Sequence, residues 1–83
     1  MVIDKIKQGI ENGLPGAIAN VDGDGVHFQT IVVYDGFAGR STVQRHRMIY
    51  QSLGDKVGTE IHALSIETYT TEEWARKKQR KVP

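Results

Sequence analysis

Hydrophobic residues recur along the chain at two kinds of spacing, and together they predict three helices and three strands. Ile3, Ile6 and Ile10 lie three or four residues apart, which is typical of an amphipathic helix. Segments rich in branched and aromatic residues predict strands. The predicted helices are residues 2–11, residues 42–53 and a last helix that begins near residue 71. The predicted strands are residues 17–22, 26–34 and 61–68.

Turn and capping signals mark where these segments begin and end. Residues 23–25 read Gly-Asp-Gly, a permissive backbone for a hairpin, so the first two strands are expected to be antiparallel. Ser41 with Gln44 has the spacing of a capping box at the start of the second helix. Thr70 with Glu73 repeats that spacing at the start of the third. The element order is therefore α-β-β-α-β-α.

This order predicts the fold class. A helix between the second and third strands indicates a right-handed crossover, which makes those two strands parallel neighbours. The second strand is then central in a three-stranded mixed sheet with helices packed on it. The expected structure is one small α/β (α+β) domain spanning residues 1–83, with an arrangement similar to the type II KH fold.

Two histidines far apart in the chain are predicted to meet at one edge of this sheet. His27 begins the second strand and His62 begins the third, and the first residues of parallel neighbours share an edge. Neighbouring strands lie ~5 Å apart, so both imidazoles could reach a common metal or cluster. Each histidine also has a simpler interpretation: His62 as a half-buried strand residue satisfied by the backbone, and His27 as a solvated loop residue.

Several motifs around this pair resemble the BolA family over essentially the whole chain. They are Phe37, Gly39, the segment Arg-His-Arg-Met-Ile-Tyr at 45–50, the strand at 61–66 and Thr-Thr-Glu-Glu-Trp at 70–74. The chain is most similar to small bacterial BolA-like proteins that have histidine, rather than cysteine, in the first hairpin loop. The resemblance implies an adaptor that binds a monothiol glutaredoxin and shares a [2Fe–2S] cluster or hands one on. It also places the family's invariant-type histidine at His62 and its variable loop ligand at His27.

The absence of cysteine fits that chemistry. Imidazole can replace thiolate on one iron of a [2Fe–2S] cluster, while the other iron needs thiolates. This chain has no cysteine, so a glutaredoxin cysteine and the thiol of glutathione would supply them. The cluster would then lie between partners, and none is expected in the isolated protein, which is expected to be a monomer.

Nucleic-acid binding, as a KH-like transcriptional regulator, is the alternative function. Arg45 and Arg47 flank His46 on the second helix and are expected to point away from its core face, where His46 packs with Ile49, Tyr50 and Leu53. Residues 36–39 also have the Gly-x-x-Gly spelling of a KH loop. That loop belongs between two helices, however, and here a strand precedes it.

The charge distribution also disfavours a broad phosphate-binding surface. Residues 1–70 carry six basic and eight acidic side chains, whereas residues 71–83 carry five and two. The predicted i,i+4 pairs of the last helix, Glu72 with Arg76 and Glu73 with Lys77, suffice to explain much of that basic tail. Arg76 and Lys77 remain candidate contacts for a partner or for nucleic acid.

No pattern of catalytic residues is evident. Ser65 and His62 share a strand but lie on opposite faces, and a domain this small has little room for a cleft. No apolar run reaches the ~20 residues that span a bilayer, and the polar start does not resemble a signal peptide. We therefore expect a cytoplasmic protein that is not an enzyme.

Overall fold

The computed structural model describes residues 2–24, 27–54 and 63–79 and forms a small α+β domain. Its elements follow the predicted order of three helices and three strands. They are α1 (Val2–Gly13), β1 (Ile18–Gly23), β2 (His27–Val33), a 3-10 turn (Asp35–Phe37), α2 (Thr42–Leu53), β3 (Ala63–Tyr69) and α3 (Thr71–Gln79). The predicted start of the third strand at residues 61 and 62 lies outside the described residues.

The sheet has the predicted mixed topology. Its strand order is β1-β2-β3, with β1 antiparallel to β2 and β2 parallel to β3. The pairings align Ile18 with Val33 and Val33 with Tyr69 in one row across all three strands. At the other end of the sheet, His27 lies opposite Ala63. The first residues of the parallel strands therefore share one edge, as their order in the sequence predicts.

One face of the sheet carries the hydrophobic core. Alternation along β2 buries Phe28, Thr30 and Val32 and exposes His27 and Gln29. The buried residues of α1 and α2 join this face in one cluster, which includes Ile6, Ile10, Ile49, Leu53 and the fully buried ring of Phe37. Because strand side chains alternate between faces, the opposite face keeps its polar positions open at the His27 end.

Helix α2 corrects one detail of the predicted core. Tyr50 was expected to face the core with Ile49 and Leu53, yet it is 39% exposed. Successive helical residues are rotated by about 100°, so Tyr50 is carried to the flank of the helix. Met48 packs partly against the core instead, and His46 is half-buried, in agreement with its expected packing position.

Two glycines allow α1 and α2 to approach closely. A methyl group on Gly13 would lie 2.5 Å from Ser52 Cβ and 2.9 Å from Ser52 Cα, whereas one on Gly9 would lie 3.2 Å from Leu53 Cδ2. A methyl group on Gly13 would thus collide with the backbone of α2, which cannot move easily. A methyl group on Gly9 would contact only the flexible end of the Leu53 side chain. The four-residue spacing of Gly9 and Gly13 places both on the same side of α1.

Both predicted capping boxes are present. The Gln44 N–H donates to Ser41 Oγ (3.2 Å) and the Ser41 N–H donates to Gln44 Oε1 (2.9 Å). At α3, the Glu73 N–H donates to Thr70 Oγ1 (3.1 Å) and the Thr70 N–H to Glu73 Oε1 (2.9 Å). These reciprocal bonds satisfy donors that a helix start leaves unpaired, so each helix begins at a defined residue.

A bidentate ion pair joins α3 to the rest of the domain. Arg45 Nη1 and Nη2 donate to the two carboxylate oxygens of Glu73 at 2.8 and 3.1 Å. The same guanidinium reaches the carbonyl oxygen of Thr68 (3.5 Å), and its Cζ lies 5.7 Å from the centre of the Phe37 ring. Its side chain is only 12% exposed. The hydrogen bonds from Arg45, followed by that from the Thr70 backbone, lower the pKa of Glu73 to about 2.

This ion pair overturns two expectations. Arg45 does not point away from the domain, because the path from α2 toward Glu73 runs over the Phe37 ring and beside β3. Glu73 does not pair with Lys77, because its carboxylate is already held by Arg45. Instead, Lys77 Nζ lies 3.4 Å from Glu67 Oε1. The predicted pair of Glu72 with Arg76 is confirmed at 2.8 Å.

No helix within the described ranges is long and apolar enough to cross a membrane.

We predict that Gly13→Ala destabilises the domain by about 1–3 kcal/mol, because the added methyl group forces the backbone of α2 away from α1. Gly9→Ala is the matched control, since the same methyl group gains helix propensity and displaces only Leu53 Cδ2. We expect its free energy of unfolding to stay within about 1 kcal/mol of the wild-type value. Urea titration followed by circular dichroism measures both, and equal effects of the two substitutions would contradict this packing account.

We also predict that Glu73→Gln lowers the free energy of unfolding at pH 7 by about 1–2 kcal/mol, a range that allows for solvent screening of the 37% exposed carboxylate. The Glu73 pKa is depressed in the folded protein, so its contribution is present above about pH 4.5 and is lost as pH falls toward about 2. The difference between wild type and variant should therefore shrink over that interval.

Glu72→Gln is the control for this effect. Its partner Arg76 is exposed, and the Glu72 side chain is 79% exposed, so its removal should change stability by less than about 0.5 kcal/mol. Urea titrations at several pH values between 2 and 7 compare the two variants. A Glu73 variant with a constant stability loss across that range would show that its ionisation is not the cause.

Candidate functional site

His27 is held at the edge of the sheet by the end of the hairpin. The Asp24 carboxylate accepts a hydrogen bond from the His27 N–H (2.8 Å), and the Asp24 N–H donates to the His27 carbonyl oxygen (3.2 Å). These bonds fix the first residue of β2 while leaving its side chain 75% exposed. The imidazole Nδ1 lies 3.9 Å from Asp24 Oδ2. The backbone of His27 is therefore held in place, while its ring is open to solvent.

The start of β3 lies beside His27. Across the parallel pair of strands, His27 lies opposite Ala63, the residue that follows His62 in the sequence. His62 itself lies outside the described residues, so the expected meeting of the two imidazoles stays a prediction. The register does bring the two strand starts to the same edge, at the ~5 Å spacing of neighbouring strands.

The surroundings of His27 are polar. A shallow cavity of about 380 Å³ is lined by Asp22, Gly23, Asp24, His27 and Gln29. Among the described residues, no three histidine, cysteine, aspartate or glutamate side chains converge as a metal site. Within this part of the chain, the edge thus presents one accessible imidazole beside two exposed carboxylates.

The second concave region is a groove between the end of β3 and α3, with a volume of about 1000 Å³. We call it the aromatic–lysine groove. It is lined by Thr68, Tyr69, Glu73, Trp74, Arg76, Lys77 and Lys78. The Tyr69 and Trp74 rings lie 5.2 Å apart, centre to centre, and both residues are half-buried. Sequence analysis identified Arg76 and Lys77 as candidate contacts but missed the aromatic pair. The feature that could have revealed this pair is that one aromatic residue lies directly before the capping box of Thr70 and Glu73 and the other directly after it.

A hydrogen-bonded network ties one wall of the groove to β3. Tyr69 Oη donates to Glu67 Oε1 (2.6 Å) and accepts from Lys77 Nζ (2.7 Å). The hydrogen bond from Tyr69, and then the one from Lys77, lower the pKa of Glu67. The contact with Tyr69 likewise contributes most to raising the Lys77 pKa. Lys77 therefore contacts both Tyr69 and Glu67.

The candidate nucleic-acid residues are divided by the structure. Arg47 is exposed, and no ion pair or hydrogen bond of its side chain occurs within the described residues. Arg45 is committed to Glu73 inside the domain, so it is not an open phosphate contact. The Gly-x-x-Gly segment joins β2 to α2 rather than two helices, and Phe37 within it is fully buried.

Packing explains the two glycines of that segment. A methyl group on Gly36 would collide with the Tyr34 ring, and Gly39 has a φ of 77°, which other residues rarely adopt. The two glycines of the Gly-x-x-Gly motif are therefore explained by a tight turn around the buried residue Phe37. The motif does not support a KH loop.

Known proteins share both the sequence and the fold of this chain. The acid stress protein IbaG of Escherichia coli is 38% identical over 77 residues, which cover 92% of each chain. The DNA-binding transcriptional regulator BolA of Vibrio cholerae is 49% identical over 53 residues, or 64% of this chain, but the match spans only 50% of that regulator. The solved structure of a BolA homologue from Coxiella burnetii matches with a TM-score of 0.79 and 43% identity, covering 86% of this chain and 92% of that one.

The family comparison agrees with these relatives, and its matched span includes Phe37, Gly39 and residues 70–73. Residues 7–73 match the family described as BolA-like protein, a span that contains His27, all of α2 and β3, and the start of α3. The chain therefore belongs to the BolA-like family.

Proposed function

We propose that this BolA-like protein is a non-enzymatic adaptor that binds a monothiol glutaredoxin and shares or transfers a [2Fe–2S] cluster. The observation that carries the proposal is the parallel register of His27 with Ala63, because His62 immediately precedes Ala63. We therefore expect His62 near the edge where His27 lies, although the two histidines are 35 positions apart in the sequence.

The exposure of His27 supports this function. A ligand that is shared with another protein must reach across an interface, and the His27 side chain is 75% exposed while its backbone is fixed by Asp24. A histidine that only stabilised the fold would be expected to direct its ring into the domain. A solvated loop histidine would be equally exposed, so the register of the two strand starts, and not the exposure, carries the proposal.

The chemistry divides the cluster ligands between two proteins. His27 and His62 would bind one iron through neutral imidazole, and the chain has no cysteine for the other iron. A cysteine of the glutaredoxin and the thiol of glutathione would supply the thiolates. Because only the neutral imidazole binds a metal, we expect cluster sharing to weaken on acidification.

We predict that His62→Ala abolishes the change in visible spectrum on mixing with a cluster-loaded monothiol glutaredoxin, because an iron ligand is removed. His27→Ala should weaken or alter that change, since water or a neighbouring group can replace a ligand from the hairpin. Visible absorption and circular dichroism measure the effect, and far-ultraviolet circular dichroism checks that each variant folds.

His46→Gln is the matched control, because it removes the third histidine, which is half-buried on α2 and away from the sheet edge. Its spectral change should equal that of the wild type. If all three variants share the cluster as the wild type does, the histidine ligands assigned here are wrong.

Nucleic-acid binding remains the second candidate function. It is favoured by the relative named a DNA-binding transcriptional regulator, which matches 64% of this chain, and by the exposed Arg47. Against it stands the charge of residues 1–70, with six basic and eight acidic side chains, because phosphate binding draws on clustered positive charge. The commitment of Arg45 to Glu73 removes a further cation from that surface.

We predict that Arg47→Ala leaves cluster sharing unchanged, because Arg47 is on α2 and does not belong to the sheet edge. Under the nucleic-acid alternative, the same substitution should weaken DNA binding and lower the slope of log affinity against log salt by about one. Fluorescence anisotropy with labelled duplex DNA at several salt concentrations measures this. Loss of a salt-dependent affinity in Arg47→Ala, together with normal cluster sharing by both histidine variants, would replace the adaptor function with the nucleic-acid one.

A further inference from the structure

The aromatic–lysine groove carries more positive charge than its internal contacts use. Of its three lining cations, Arg76 is paired with Glu72 and Lys77 lies near Glu67. The acidic lining residue Glu73 is already neutralised by Arg45, and no ion pair of Lys78 occurs within the described residues. Lys78 Nζ lies 5.5 Å from the centre of the Trp74 ring, and this ring contact accounts for its position. The groove is therefore complementary to negative charge.

The floor of the groove is apolar and partly open. Tyr69 and Trp74 are half-buried, so each leaves part of its ring accessible. Tyrosine, tryptophan and arginine are enriched at the energetic centres of protein interfaces because they bury a large area and keep a polar group available. Aromatic rings surrounded by basic side chains suit a peptide that alternates acidic and apolar residues.

A protein segment fits these features better than a nucleic-acid strand. Arg76 is paired with Glu72, and Lys77 lies 3.4 Å from Glu67, so acidic side chains border the groove on two sides. A continuous phosphate backbone would be repelled by those carboxylates, whereas separate acidic side chains can avoid them.

The groove lies within reach of a partner bound at the His27 edge. Thr68, the first groove-lining residue on β3, is five residues along the strand from Ala63, which lies opposite His27. At about 3.3 Å per residue, this separation is ~17 Å. An interface of standard size, with roughly 20–30 residues on each side, spans such a distance.

We propose that the aromatic–lysine groove binds an acidic segment of the protein that docks at the His27 edge, with Lys77 and Lys78 contacting its carboxylates and Trp74 its apolar side chains. This inference rests on the proposed function for the identity of that protein. It makes the cluster edge and the groove two separate contacts with one partner, the first responsible for cluster ligation and the second for recognition.

Trp74 is the only tryptophan in the sequence, so its fluorescence reports on the groove directly. The probe is a short synthetic peptide of glutamate and leucine without aromatic residues, and a peptide with lysine in place of glutamate is its counterpart. The acidic peptide should change Trp74 emission in a saturable way, and the basic peptide should not. The double substitution Lys77→Gln with Lys78→Gln should weaken the binding by about fivefold or more.

The double substitution Lys5→Gln with Arg40→Gln is the matched control, because it removes the same charge from exposed positions outside the groove. It should change the affinity by less than about twofold. The proposal is overturned if Trp74 emission does not respond to the acidic peptide, if both double variants weaken the binding equally, or if a single-stranded oligonucleotide binds the groove more tightly than the peptide.

Cluster sharing with the glutaredoxin separates this proposal from the adaptor function. If the wild-type protein binds the acidic peptide but shares no cluster, the adaptor function fails and the groove stands. If the wild-type protein shares the cluster and neither peptide affects Trp74, the groove assignment alone is rejected.

Discussion

The bidentate ion pair between Arg45 and Glu73 sets the position of the last helix, and the features on that helix depend on it. Only 12% of the Arg45 side chain is exposed, and the guanidinium is held between the Phe37 ring, the Thr68 carbonyl oxygen and the Glu73 carboxylate. A charge with so little access to solvent is costly unless it is paired, so this arrangement fixes α3 against α2 and β3. Glu73 also closes the capping box of α3, which couples the start of the helix to its docking.

The proposed cluster edge lies at a different place from the core of the sheet. The core occupies one face, where α1, α2 and the Phe37 ring pack against β2. The candidate cluster edge lies where β2 and β3 begin, and there His27 is exposed and fixed only through its backbone. This separation means that a ligand-binding side chain can be replaced without disturbing the packing that holds the strands together.

The edge and the groove give the BolA-like domain one polar and one aromatic surface along β3. The first suits a metal cluster shared with a thiolate-bearing partner, and the second suits a carboxylate-bearing segment. Arg47, on the flank of α2, belongs to neither. Because Arg45 is paired with Glu73 inside the domain, Arg47 is the one exposed cation of the Arg-His-Arg segment. This segment of α2 therefore presents less positive charge to solvent than its sequence indicates.

The sequence by itself determined the element order, the mixed sheet, the bounds of α2, both capping boxes and the edge shared by the starts of β2 and β3, because periodicity, glycines and short-range hydrogen bonds act locally. The meeting of His27 with His62 stays a prediction from that register. Only the tertiary structure decided that Arg45 turns inward, that Lys77 lies near Glu67 rather than Glu73, and that Tyr69 and Trp74 line a groove. Each depends on residues brought together from different elements: Arg45 and Glu73 are 28 positions apart, so no helical or strand spacing could reveal that the carboxylate had a stronger partner than the lysine one turn away.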